Sequence, residues 1–422
     1  SCINYYGACE AGADCDDSND YTFDKCLDPD GYAPVCSNAD VFTMISAGGD
    51  SSCALRGDGR VACWGENSGG ELGTLPNGSR LPALIDGVSG ATAVSKGGDH
   101  TCALLGDGTV RCWGSNSSGQ LGNGTTTSSS APVAVQGLMG VQQISAGYKH
   151  TCAVVSGGEV KCWGQNYYGQ LGNGSYNSST TPVTASLDAA AVSVSAGYRH
   201  TCALADDGAA LCWGINTSGQ LGDGGYTTTA APGAVSGISN AQKVLAGWSH
   251  SCALMSSGGV KCWGANSYGQ LGDGSFDSSA SPVNVSQLDG ATDISVGDDH
   301  SCARVSGGSV LCWGDNFYGQ VQPADMFDNE SPLLLDTGAS GLEVVSGGMH
   351  SCVLTEAGGA VCWGDNSLGQ SGGDVQWAYS EPARVGLCAS DGDCADGDSG
   401  TLDACVQIQG QSAAFRSVCV HY

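Results

Sequence analysis

An all-β, seven-bladed β-propeller is the fold this sequence predicts, and three observations predict it. A block of about fifty residues recurs seven times. In every copy two cysteines stand ten positions apart around a Gly-rich turn. The segments between turns are short, and none carries a helical hydrophobic period. Units of several short strands at that repeat length make propeller blades, and seven copies make seven blades.

The block reads His100-Thr101-Cys102-Ala103-Leu104, then Val110-Arg111-Cys112-Trp113-Gly114, Asn116 and Gly119-Gln120-Leu121-Gly122. Its paired cysteines are Cys53 and Cys63, Cys102 and Cys112, Cys152 and Cys162, Cys202 and Cys212, Cys252 and Cys262, Cys302 and Cys312, and Cys352 and Cys362. Gly106-Asp107-Gly108 suits a tight hairpin. Folding about it sets Cys102 opposite Cys112 and Leu104 opposite Val110, close enough for a disulfide. Ala103 and Trp113 then point to the other face. Both faces carry apolar side chains, so each sheet must pack between others. Each bridge closes a loop of about ten residues, worth at most ~2.7 kcal/mol of chain entropy. Seven of them suit resistance to proteolysis and slow unfolding outside the cell.

The run Gly-x-x-His-Thr/Ser-Cys-Ala-Leu, followed by Cys-Trp-Gly-x-Asn-x-x-Gly-Gln-Leu-Gly-x-Gly, resembles the repeat of the regulator of chromosome condensation family over residues 39–387. That resemblance implies a seven-bladed propeller. It implies little about function, because the family includes a nucleotide exchange factor, photoreceptors, ligase subunits and a secreted β-lactamase inhibitor. No repeat here carries an insertion comparable to the exchange factor's wedge, and both tails are acidic rather than basic. Blade 6 replaces Leu-Gly-x-Gly by Val321-Gln322-Pro323-Ala324, and blade 7 has Ser371-Gly372-Gly373, so reshaped loops are expected there.

Six histidines, His100, His150, His200, His250, His300 and His350, recur at one position per blade. With the cysteines they could form a metal site. Blade 1 argues otherwise, since Ser51 stands at that position while Cys53 and Cys63 remain. A buried framework histidine tying down backbone groups inside its own blade is expected instead. The seven tryptophans of the Cys-Trp-Gly runs, Trp64 to Trp363, read as blade core, not as sugar platforms.

Binding residues are sought where the repeats differ. Ahead of the histidines stand Tyr148-Lys149, Tyr198-Arg199 and Trp248, in three consecutive blades. Tyr167, Tyr168, Tyr268, Phe317 and Tyr318 lie in the loops after Trp-Gly-x-Asn. Aromatic residues and arginine are enriched where partners bind, so these ten residues make the candidate contact surface. No catalytic motif is present, and a non-enzymatic protein is expected.

The two ends, residues 1–38 and 388–422, copy each other. Cys9, Cys15, Cys26 and Cys36 match Cys388, Cys394, Cys405 and Cys419, with the first two spacings identical. Asp14, Asp17, Asn19 and Asp24 match Asp393, Asp396, Asp398 and Asp403. The pattern is similar to small Cys/Asp-rich modules of large secreted bacterial proteins. Two disulfides per module are expected, since so short a segment has no adequate core. Their connectivity stays open. Oxygen ligands at this density suit Ca²⁺, the expected cofactor of both modules.

With 422 residues, 41 % hydrophobic, the chain can build a sizeable core. A net charge of −28 argues against nucleic acid. No run approaches the ~20 apolar residues of a membrane span. Twenty-three cysteines suit an oxidising, extracellular setting, and a start at Ser1-Cys2 without Met reads as a mature product. Eight Asn-x-Ser/Thr sequons, including Asn123, Asn173 and Asn216, would allow glycan attachment. Seven hairpin pairs and two four-cysteine modules leave Cys2 as a possible intermolecular thiol. Two functions follow as expectations. One is a structural subunit that self-associates head-to-tail through its terminal modules. The other is a soluble binder or inhibitor using the aromatic loops.

Overall fold

A computed structural model describes residues 22–27, 35–75, 78–323, 326–335, 337, 340–356, 358–372, 380–385, 403–409 and 415–421. It contains seven four-stranded antiparallel sheets, each built from four strands consecutive in the chain. Blade 1 comprises Phe42–Gly48, Ser51–Arg56, Val61–Gly65 and Ser79–Leu84. Blade 2 comprises Ala91–Lys96, His100–Leu105, Val110–Gly114 and Ser129–Ala134. The other five repeat this order over 141–184, 191–234, 241–284, 291–335 and 341–385. First strands of neighbouring blades lie against one another and form the inner wall. The fold is the predicted seven-bladed propeller.

The hairpin register is also as predicted. Cys102 faces Cys112, Thr101 faces Trp113 and Leu104 faces Val110. All seven blade disulfides form, with Cα atoms 4.0–4.1 Å apart. The cystine face of one blade packs on the tryptophan face of the next. Cys102, Leu104, Val110, Cys112 and Leu121 of blade 2 meet Ala153 and Trp163 of blade 3. The ring closes the same way, with Cys352, Leu354 and Cys362 against Ala54 and Trp64. Every tryptophan of the Cys-Trp-Gly runs is fully buried. At ~25 cal/mol per Å², an indole covering roughly 200 Å² contributes roughly 5 kcal/mol before entropy is subtracted. Gly122 makes this close packing possible: its φ is +67°, and a Cβ there would lie 2.8 Å from the Trp163 Nε1.

Polar bonds join the blades as well, and here the structure corrects one expectation. The histidines do not tie down their own blades. Each Nε2 meets a hydroxyl of the next blade: His100 to Thr151 (2.8 Å), His150 to Thr201 (2.9 Å), His200 to Ser251 (2.8 Å), His250 to Ser301 (2.8 Å) and His300 to Ser351 (2.8 Å). His350 closes the ring on Ser52 at 2.7 Å. Those hydroxyls in turn donate to the backbone carbonyl at the Gln position of the preceding blade, as Thr151 does to Gln120 and Ser52 to Gln370. A hydroxyl that gives its proton to a carbonyl must accept from the imidazole, which puts the ring proton on Nε2. Blade 1 has Ser51 instead of histidine, so no imidazole crosses from it to blade 2. Thr101 still donates to the Glu71 carbonyl there.

In blades 6 and 7 the loops after Trp-Gly-x-Asn are reshaped, as expected. The Asn116 amide reaches the carbonyls of Thr125 and Thr127, whereas Asn316 and Asn366 bond the carbonyls of Gln322 and Gly372, only six residues on.

Among the described residues, each end of the chain contributes one hairpin, Thr22–Leu27 with Val35–Asp40 and Asp403–Gln409 with Phe415–His421. Their registers set Cys26 opposite Cys36 and Cys405 opposite Cys419. Cys2, Cys9, Cys15, Asp14, Asp17, Asn19, Cys388, Cys394, Asp393, Asp396 and Asp398 lie outside the described residues. Asp24 and Asp403 are placed only as strand positions.

Candidate functional site

The loop between the first and second strands of each blade turns at the axis, and the loop between the third and fourth strands lies on the same side. The first-strand ends and the turns enclose a cavity of about 110 Å³ on the propeller axis. Around it, the residue after the recurring glycine reads Gly49, Gly98, Tyr148, Tyr198, Trp248, Asp298 and Gly348 in blades 1 to 7. Backbone bonds link these turns into a collar, for example Gly98 N–H to the Gly147 carbonyl (3.2 Å), Tyr148 to Gly197 (3.1 Å) and Gly348 to Gly49 (3.0 Å).

The three aromatic residues of consecutive blades converge over the axis. Tyr198 and Trp248 stack with centroids 3.5 Å apart and planes 9° apart. Tyr148 tilts against both, at 4.7 Å and 5.5 Å. Lys149 Nζ lies 5.4 Å from the Tyr148 centroid. The Arg199 guanidinium sits 4.4 Å from the Tyr198 ring and 4.8 Å from the Tyr168 ring, and donates to the Tyr168 hydroxyl at 3.1 Å. Six of the ten sequence-derived contact residues thus form one cluster. Tyr167 stands beside it, 69 % exposed. Tyr268 and Phe317 are exposed on the loops of blades 5 and 6, where Phe317 meets Tyr318 edge-on at 5.0 Å.

The opposite half of the face is acidic. Burial, together with Asp299 and Asp50, pushes the Asp298 carboxyl up to about 8. Burial and Asp315 bring Asp299 up to about 6, against a hydrogen bond from the Gln270 amide. Asp50 is raised by burial and by Glu66 and Asp365. Burial also raises Asp315 and Glu71. One cation is sunk in this half. Lys96 is 3 % exposed, and its ammonium donates to the carbonyls of Gly97 (3.0 Å) and Gly98 (2.7 Å). Burial lowers its pKa, while Glu71, Asp99 and Asp50 hold it up.

Sequence reasoning missed Lys96 and Asp298 as site residues. The signal was there, since the residues before the recurring glycine read Ala47, Lys96, Ala146, Ala196, Ala246, Val296 and Ser346, with a single charge among them. Burial pushes five of the histidines down to about 3 and His250 to about 4, so all six are neutral hydrogen-bonding struts. Of the sequons, Asn116 and Asn216 are fully buried. The Asn216 amide is committed to Asp223 and Gly225, which leaves it no access for a glycan in the folded chain.

The face can therefore bind through apolar rings and cations on one side and through carboxylates on the other. Similarity to known proteins agrees with a propeller of this kind. No curated protein matches the chain in sequence. Human WBSCR16 is 22 % identical, with a TM-score of 0.68 over 76 % of this chain and 92 % of that one. Yeast RCC1 (Prp20), solved bound to Kap60, is 21 % identical, with a TM-score of 0.68 over 90 % of each chain. The ectodomain of the Physcomitrella patens receptor kinase CR4 is 19 % identical, with a TM-score of 0.52 over 90 % of this chain and 88 % of that one. A regulator of chromosome condensation (RCC1) repeat matches residues 343–370. The RCC1-like domain matches residues 18–344, and the chain belongs to that family.

Proposed function

We propose that this chain is a non-catalytic protein-binding propeller of the extracellular space, and that the axial face described above is its contact surface. The observation that carries the reading is the stacked Tyr148–Tyr198–Trp248 cluster, flanked by Lys149 and Arg199 and set against carboxylates. Half-exposed rings that already pack on one another lose little entropy when a partner covers them. Seven buried cystines suit an oxidising compartment, and the moss receptor ectodomain shows a similar fold in an ectodomain. The test compares proteins captured from the native extracellular fluid by the wild-type chain and by a Tyr148→Ala/Tyr198→Ala/Trp248→Ala variant of matched melting temperature. Loss of a wild-type partner in the variant supports the reading. An unchanged set of partners overturns it.

The matched terminal hairpins favour a second reading. With Cys26 opposite Cys36 and Cys405 opposite Cys419, two like units bracket the ring, as a head-to-tail structural subunit requires. In that reading Ca²⁺ is held by Asp14, Asp17, Asn19 and Asp24 and by their counterparts Asp393, Asp396, Asp398 and Asp403. Cys2 supplies a covalent link between subunits. Negative-stain imaging and size exclusion with and without reductant test it, and a monodisperse monomer at high concentration in calcium removes it.

A further inference from the structure

Half of the axial mouth is filled by side chains and half is not. Gly348, Gly49 and Gly98 follow one another around the ring, in blades 7, 1 and 2. Asp298 leans into the space beside Gly348, with its Oδ2 3.4 Å from where a Cβ on Gly348 would stand. From the other side Tyr148 leans over Gly98, its Cδ2 2.6 Å from the equivalent point. Between them, the nearest neighbours of the Gly49 β-position are backbone atoms of Gly98. Backbone floors this part of the mouth, and the part of the axial cavity above it, the gap, has the Asp298 carboxylate and the Tyr148 ring among its walls.

The Asp298 wall of the gap has no cation of its own. Among the described residues no ion pair reaches Asp298. Lys96 is turned to the Gly97 and Gly98 carbonyls. Ser346 lines the same cavity at 8 % exposure, and its hydroxyl has no hydrogen-bond partner. A buried hydroxyl left so needs a donor or acceptor from elsewhere. The chain already shows how such a group is held on this face, because Arg199 lies over two tyrosine rings and donates to a tyrosine hydroxyl.

We propose that the gap over Gly49 receives the guanidinium of an arginine from a partner protein, held between the Asp298 carboxylate and the Tyr148 ring. A planar guanidinium can give a carboxylate two parallel hydrogen bonds while its face or edge meets an aromatic wall. An ammonium would gain the charge but not the fork. The inference rests on the reading of the axial face as a contact surface and names the chemistry of what that face takes.

Calorimetric titration of the full chain above pH 8, where Asp298 carries its charge, tests it. The probes are acetyl-Gly-Arg-Gly-amide, the same peptide with citrulline, and methylguanidinium. Saturable binding of the arginine peptide, with the citrulline peptide at least about tenfold weaker, is the expected result. Asp298→Asn and Tyr148→Ala should each weaken the arginine peptide about tenfold. Met139→Ala, exposed on the other side of the ring, should leave it unchanged. Binding of methylguanidinium without binding of the peptide would overturn the protein source of the group. Equal binding of arginine and citrulline peptides overturns the proposal, as does an Asp298→Asn variant with wild-type affinity. If the guanidinium arms fail while the triple aromatic variant still loses its protein partner, only this inference falls and the contact face stands.

Discussion

The His350 Nε2 and the Ser52 hydroxyl, 298 residues apart in sequence, meet at 2.7 Å and join the last blade to the first. No strand is shared across this seam, because each sheet is made from one continuous stretch of chain. Side-chain contacts close the ring, together with isolated backbone bonds from Gly348 to Gly49 and from Phe42 to Gly358. Replacing His350 by Ala removes a buried hydrogen bond and leaves a cavity, at a cost of about 2–4 kcal/mol. The variant should melt well below a Tyr167→Ala control by scanning calorimetry. Equal melting temperatures would mean that the seam does not depend on this bond.

Acid should unfold the ring steeply. The six framework histidines have folded pKa values of about 3 to 4, below the ordinary 6.5. Their contribution is fully present above pH 6.5 and is lost as pH falls toward those values, because the unfolded chain takes the protons first. Each costs about 1.4 kcal/mol per pH unit in that window. Guanidinium unfolding midpoints should therefore fall sharply between pH 6 and pH 4. Midpoints that hold steady over that range would contradict neutral, buried imidazoles.

Asp298 has the opposite sign. Its folded pKa of about 8 lies above the ordinary 3.8, so the folded chain keeps a proton that the unfolded chain releases. That contribution is complete below pH 3.8 and disappears as pH rises to about 8. Asn cannot titrate. The melting temperature of Asp298→Asn relative to wild type should thus climb from pH 4 to pH 8 and then level off. A pH-independent difference would place Asp298 in water.

The blade cystines can be checked chemically. Alkylation of the folded chain without reductant, followed by mass spectrometry, should leave all fourteen blade cysteines unlabelled. Removing one bridge by Cys152→Ala/Cys162→Ala should cost up to ~2.7 kcal/mol and speed proteolysis. A label on any of the fourteen refutes the corresponding pair.

The calcium reading of the ends predicts a lower melting temperature for the full chain in chelator, restored by added Ca²⁺. Asp14→Asn/Asp393→Asn should abolish the restoration. A chelator-insensitive transition, with no calcium found by elemental analysis, removes the ion from both ends.

The frame was legible because its determinants are local. Cys102 and Cys112 are partners across a two-strand hairpin, and their offset of ten specifies the register without knowledge of the ring. The histidines misled for the converse reason. His100 finds Thr151 fifty-one residues on, in another blade, and nothing near His100 in sequence announces a hydroxyl. Tyr148, Tyr198 and Trp248 were picked out as departures from the repeat, but their stacking depends on seven turns pointing at one axis. Lys96 and Asp298 needed the same step. Each is an odd charge in a column of small or apolar residues, and its meaning comes from the shared cavity that the columns line.

The collar of backbone bonds around the mouth separates two kinds of inheritance. Strands and cystines recur in all seven repeats and the imidazole in six, since each blade packs on its neighbour. The side chain after the collar glycine is not part of that machinery, and Gly, Tyr, Trp and Asp all occupy the position in this one chain. A lineage can therefore rewrite what the mouth receives by single substitutions at seven interchangeable sockets, leaving the wheel that carries them untouched.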